Sequence, residues 1–141
     1  MHTARSVFWT VAFVTLVAIT GCEKPKRYTP VHLVPVRGKV FTDGNPAAGA
    51  TVRFHPRNAT PGALTPVAKT GPDGSFELTT YENQDGAPPG EYDVTLRLDE
   101  PTGRDAEMVD RFRGRFADPK KPAWQVRIED RSTELDPFIA K

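Results

Sequence analysis

Gly90-Glu91-Tyr92-Asp93-Val94-Thr95-Leu96-Arg97-Leu98 decides the fold. Tyr92, Val94, Leu96 and Leu98 share one parity, and Glu91, Asp93, Thr95 and Arg97 share the other. Successive side chains of a strand point to opposite faces, so this stretch predicts a strand with one buried and one wetted face. The same alternation recurs outward along the chain. Trp124, Val126 and Ile128 alternate with Gln125, Arg127 and Glu129, and Val52 and Phe54 with Thr51, Arg53 and His55. Val34, Val36 and Val40 oppose Pro35, Arg37, Lys39 and Phe41, and Phe76, Leu78 and Thr80 oppose Glu77 and Thr79.

Turn chemistry separates these runs. Asp43-Gly44-Asn45-Pro46 offers residues that accept positive φ. Gly71-Pro72-Asp73-Gly74 reads as a hairpin turn, because Pro sets the first corner, Asp bonds the backbone and Gly takes the left-handed position. Pro56 to Pro66 and Tyr81 to Pro89 read as loops, and Val67 to Thr70 as a short strand. Leu135 to Ile139 reads as a last strand, placed at an edge because Pro137 cannot donate to a ladder. One stretch departs from period two. Met108, Val109, Phe112 and Phe116 fall at helical spacing, with Asp105 and Glu107 suited to a helix start, which predicts a short helix over 105–116.

Six or seven short strands with polar-out alternation predict an all-β chain, an antiparallel β-sandwich with one short helix between late strands. The expected inward set is Val36, Val40, Val52, Phe54, Phe76, Leu78, Tyr92, Val94, Leu96, Trp124, Val126 and Ile128. The 141 residues suffice for one such domain, and 14 Pro with 11 Gly argue against a helical bundle. A formal net charge of +1 argues against a nucleic-acid partner, which calls for a clustered basic excess. The lone Cys excludes an internal disulfide.

Residues 1–21 read differently. Arg5 precedes a run without charge from Val7 to Ile19, and small residues follow in Ile19-Thr20-Gly21-Cys22. A basic start, an apolar stretch of about 7–15 residues and a small-residue cleavage site make a secretory signal, whereas a spanning helix needs about 20 apolar residues. Ile-Thr-Gly-Cys resembles the bacterial lipobox, and this likeness implies that Cys22 is lipidated and becomes the N-terminus after cleavage. Two or more acyl chains anchor a protein stably, at about 0.8 kcal/mol per buried methylene. Glu23 stands where the family's inner-membrane retention signal is usually Asp, which favours an outer-membrane or outward-facing leaflet. Residues 22–33, with two prolines and mixed charge, read as a tether leading to a domain over 34–141. Lys24, Lys26 and Arg27 would each gain about 1 kcal/mol beside anionic headgroups, but the segment reads first as a solvated linker.

Three further segments resemble the carboxypeptidase-regulatory-like domain. Val36-Arg37-Gly38-Lys39-Val40 with Gly44-Asn45-Pro46 and Gly49-Ala50-Thr51-Val52 resembles its opening. Thr70 to Phe76 resembles its "T-D-x-D-G-x-F" turn, with Gly71-Pro72 departing from the pattern. Pro88-Pro89-Gly90-Glu91-Tyr92-Asp93-Val94 resembles its "P-P-G-x-Y-x-V" segment. Gly114-Arg115-Phe116-Ala117-Asp118-Pro119 resembles an element of small bacterial lipoproteins that carry this domain. The resemblance implies a transthyretin-like (prealbumin-like) seven-strand sandwich, related in architecture to Ig-like folds, in a non-catalytic envelope module.

The chemistry-bearing residues are sparse. Downstream of Cys22 only His32 and His55 occur, which leaves no Cys/His pair and no expected catalytic residue. A transthyretin-like relative that hydrolyses hydroxyisourate uses several histidines and a C-terminal Tyr-Arg-Gly-Ser, whereas this chain ends Asp136-Pro137-Phe138-Ile139-Ala140-Lys141. His32, His55 and Met108 do not form a transition-metal cluster, and Glu82, Asn83, Gln84 and Asp85 lack EF-hand calcium spacing. The Arg111 to Phe116 run mixes bases with aromatics as single-strand nucleic-acid binders do, but reads instead as aromatics capping the sandwich. The expected function is therefore a membrane-anchored, cofactor-free, non-catalytic module with a structural or protein-interaction role, contact with an envelope protein being expected through a sheet edge or the 81–89 loop. The alternative is a small-ligand module for a glycan or metal ion, with Phe41 and Tyr81 as outward aromatics.

Overall fold

A computed structural model describes residues 31–104 and 106–141. The expected signal over 1–21, the lipidation site Cys22, the tether as far as Pro30, and Asp105 lie outside the described residues. The chain is all-β, with eleven segments: β1 (Val36–Thr42), β2 (Asn45–Pro46), β3 (Thr51–Pro56), β4 (Val67–Lys69), β5 (Ser75–Glu77), β6 (Gly90–Arg97), β7 (Asp99–Thr102), β8 (Glu107–Asp110), β9 (Trp124–Ile128), β10 (Thr133–Glu134) and β11 (Phe138–Ala140).

β1 is the spine of one sheet. Arg37 pairs with Glu77 of β5 and Glu134 of β10, and Phe41 with Pro46 of β2 and Ile139 of β11, so β1 is flanked on both edges. The second sheet runs β4-β3-β6-β9, with every neighbour antiparallel. β7 and β8 form a separate hairpin.

The two larger sheets share one core. Val36, Val40 and Phe76 meet Val52, Phe54, Tyr92, Val94, Leu96 and Ile128, all buried, and Leu78 belongs to the same cluster. Phe54 sits 6.2 Å from Phe76 and 6.3 Å from Phe138, ring centre to ring centre. Gly38 is needed here because the Phe76 ring lies on it. A Cβ at that position would stand 2.6 Å from Phe76 Cζ. Trp124 and Val126 of the expected inward set are only partly buried, since β9 is the outer strand of its sheet.

Three expectations are corrected. First, β10 and β11 run parallel to β1, so the fold is not purely antiparallel. β9 ends with Ile128 beside Gly90, and β10 begins with Thr133 beside Val36. The chain crosses between sheets at that end and then follows β1 in its own direction. Second, the Gly71–Gly74 turn forms, with the Gly74 N–H donating to the Gly71 carbonyl at 2.9 Å, yet β4 belongs to the second sheet and β5 to the first. The turn is a corner between sheets, and its two arms are tied by the Val67–Thr79 bridge. Third, the helix expected over 105–116 is absent among the described residues: Glu107–Asp110 is β8, and turns follow.

The physical reason for the third correction lies in Asp110. Its buried carboxylate accepts the N–H groups of Leu98 (3.1 Å), Phe112 (3.3 Å) and Gly114 (2.7 Å). Local side-chain bonds of this kind compete with a helix ladder. Arg113 and Gly114 then take positive φ, 51° and 80°, where a right-handed helix cannot continue. Phe112 and Phe116 still turn inward, whereas Met108 and Val109 stay exposed on β8.

Candidate functional site

The sandwich-like body has two ends, fixed by strand direction. At the proximal end lie Val34, the starts of β1 and β6, and the close of β9; the Val34 N–H bonds the Ala87 carbonyl at 3.0 Å. This is where the chain arrives from its N-terminal side. At the distal end lie the close of β1, the β7–β8 hairpin and residues 111–121.

The loop after Leu78 is an expected contact surface, and its geometry is built around Asp85. One carboxylate oxygen accepts the Thr80 N–H at 2.7 Å, and the other accepts those of Tyr81 and Glu82 at 2.9 Å each. Burial alone raises this carboxyl's pKa, but the backbone donors together outweigh it and hold the group below the usual carboxylate range. Thr79 Oγ1 accepts the Gln84 N–H, and Thr80 Oγ1 donates to the Gly86 carbonyl. In the oxygen-rich run Glu82 to Asp85, the Asp is therefore committed to backbone groups rather than aimed at a cation. Gly86 closes the loop at φ 94°, against the Val34 carbonyl, where no Cβ fits.

Beside this loop, Tyr81 and Val31, both exposed, line a shallow groove with Leu64, Pro56, Pro88 and Tyr92. Phe41, the other aromatic expected to point outward, is half-buried beside β2 and β11.

The two histidines stay apart. His32 pairs with Asp130 at 2.9 Å on an exposed surface. His55 Nε2 lies 2.9 Å from Thr95 Oγ1, and its pKa is lowered, first by burial and then by Arg53, against a raising effect of Asp93. Among the described residues no three His, Cys, Asp or Glu side chains gather as a metal site.

The distal end is a cross-tied surface that the sequence did not reveal as a unit. Arg111 pairs with Glu100 at 2.8 Å and Asp43 at 3.1 Å, tying the hairpin to the β1–β2 turn. Phe112, Phe116, Trp124 and Phe138 form a continuous row with ring centres 5.0, 5.3 and 5.2 Å apart. Of these, Phe112 and Phe116 pack against the core as the sequence indicated, Phe116 buried and Phe112 partly so. Arg115 lies 5.2 Å over the Phe116 ring and donates to the Lys141 carbonyl at 2.6 Å. The sequence signal for this surface is the Arg-Phe alternation, which its helical spacing obscures.

No protein-family model and no curated protein matches the chain. Among solved structures, a 9R-lipoxygenase from Cyanothece PCC8801 is similar at a TM-score of 0.38 and 14% identity, over 85% of this chain. The chain spans only 18% of that lipoxygenase's length, and the likeness defines neither the fold nor an activity of this chain.

Proposed function

We propose that the chain is an envelope lipoprotein, anchored through acylated Cys22, whose body is a non-catalytic interaction module of the transthyretin-like, seven-strand sandwich class. The observation that carries this reading is the ordered N-terminal pattern: Arg5, the apolar run Val7–Ile19, and Ile19-Thr20-Gly21-Cys22. The body's architecture is consistent with the module. The segments that resemble carboxypeptidase-regulatory-like domains fall on β1 with its turn, on the 71–75 corner between sheets, and on the start of β6. Each does structural work. Gly38 admits Phe76, Thr70 ties the Ala47 carbonyl to the Ala50 N–H, and Tyr92 fills the core.

A non-catalytic role is supported by how the polar groups are engaged. Asp85 and Asp110 accept backbone N–H groups, and the two histidines stand in separate surroundings. Anchored at the proximal end, the module would hold its distal face away from the lipid toward envelope partners. Fractionation of expressing cells tests this: wild type is expected with the membranes and Cys22→Ala in the soluble fraction. A Cys22→Ala protein that stayed with the membranes after a high-salt wash would overturn the anchor.

A further inference from the structure

We infer that the distal end carries a binding site for an acidic saccharide, centred on a pocket between the 115–116 turn, the start of β9 and the end of β11. This specifies the contact made by the interaction module and rests on that reading. The pocket, about 450 Å³, is lined by Arg115, Phe116, Ala123, Trp124, Ile139 and Lys141. It joins two cations to apolar surface: Arg115 spends Nη1 on the Lys141 carbonyl at 2.6 Å, which fixes its guanidinium over Phe116, Trp124 is half-buried at the rim, and Ile139 is 47% exposed despite lying on a strand. A sugar ring has one face of C–H groups, which suits such a surface, and its carboxylate or phosphate suits a guanidinium that presents paired donors. Ligand sites commonly join an apolar wall to a few converging polar groups in this way.

The surroundings extend the charge. Residues 111–121 contain Arg111, Arg113, Arg115, Lys120 and Lys121 against one acid, Asp118, in a chain whose net charge is +1. Asp118 itself accepts the Lys120 N–H at 2.9 Å. Arg111 is committed to Glu100 and Asp43, whereas Arg113, Lys120 and Lys121 form no ion pair among the described residues. The turn is preset by Asp110 and by the Phe112–Phe116 contact, so binding does not require ordering it. The adjacent hairpin adds acids at this end, of which Asp99 pairs with Arg97, Glu100 joins Asp43 on Arg111, Asp110 is buried on backbone donors, and Glu107 is exposed.

The glycan is favoured over a lipid headgroup by position. Ile139 pairs with Phe41 near the close of β1, while the chain arrives at its start. Seven residues of strand place the pocket about 20 Å from the end at which the chain enters the body, which on the anchored reading is the end nearer the leaflet.

The test uses the full chain in detergent micelles and isothermal titration with three probes: a galacturonic acid oligosaccharide, a neutral galactose oligosaccharide of equal length, and glycerol phosphate as a water-soluble lipid headgroup. The acidic oligosaccharide is expected to bind, the neutral one not to, and added salt to weaken binding. Arg113→Gln/Lys120→Gln/Lys121→Gln, all on exposed positions, is expected to weaken it roughly tenfold, and Arg115→Gln at least as much. Equal binding of the neutral sugar, an unchanged affinity in both variants, no binding of the acidic sugar, or binding of the glycerol phosphate alone would each overturn the proposal. If Cys22-dependent fractionation holds while these arms fail, the anchored module stands and only the saccharide site falls.

Discussion

The Tyr92 hydroxyl donates to the Pro88 carbonyl at 2.7 Å, four residues upstream, and so locks the Pro-Pro-Gly lead-in to the central strand of the second sheet. The ring is buried against Phe54, 6.0 Å away edge-on, while its hydroxyl reaches back to the loop. Burial pushes the phenol's pKa up to about 12 from an ordinary 10.0. The folded state therefore keeps this proton after the unfolded chain has lost it. The stability concerned is fully present below pH 10 and is lost as pH rises toward 12. Tyr92→Phe is expected to cost about 1 kcal/mol at neutral pH, for the lost bond and the carbonyl left behind. It is also expected to lose stability less steeply than wild type between about pH 10 and 12. Urea titrations of both proteins at neutral pH and across that alkaline window check this; parallel pH dependence would contradict it.

Asp85 has the opposite sign. Its folded pKa is depressed, so its contribution is present above the ordinary carboxylate range and is lost as pH falls through the lower folded value. Asp85→Asn is expected to loosen residues 79–86 at neutral pH and to flatten the acid limb of the stability curve. Amide exchange of Thr80, Tyr81 and Glu82 reads the effect directly. Unchanged protection in the variant would contradict the role assigned to this carboxylate.

Asp110 holds the distal turn through three backbone donors. Asp110→Ala leaves those N–H groups without a partner and is expected to cost about 2–3 kcal/mol. The loss is expected to show as faster exchange at Phe112 and Gly114 and a lower thermal midpoint. A variant as stable as wild type would show that the Phe112 and Phe116 contacts alone fix the turn.

Much of this body was legible in the residues. Period two placed β1, β3, β6 and β9, because each turns alternate side chains toward the core, although Thr95 on the polar parity of β6 is buried as well. It also placed Phe76 and Leu78 inside. The two-residue segments β2 and β10 were not legible, since two residues show no period. Parallel pairing of β11 with β1 was hidden because direction depends on where the chain crosses between sheets. Helical spacing misled at 108–116, where one buried carboxylate, Asp110, overrides the ladder that the apolar spacing would otherwise support. The distal pocket was missed for a related reason: Arg115, Trp124 and Ile139 are separated in sequence and meet only through the fold.

The anchoring claim is tested most directly by intact-mass spectrometry of the native protein extracted from membranes. The account predicts a chain that begins at Cys22 and carries the added mass of a diacylglyceryl group and a further acyl chain. A chain that still begins at Met1, or an unmodified Cys22, would contradict it.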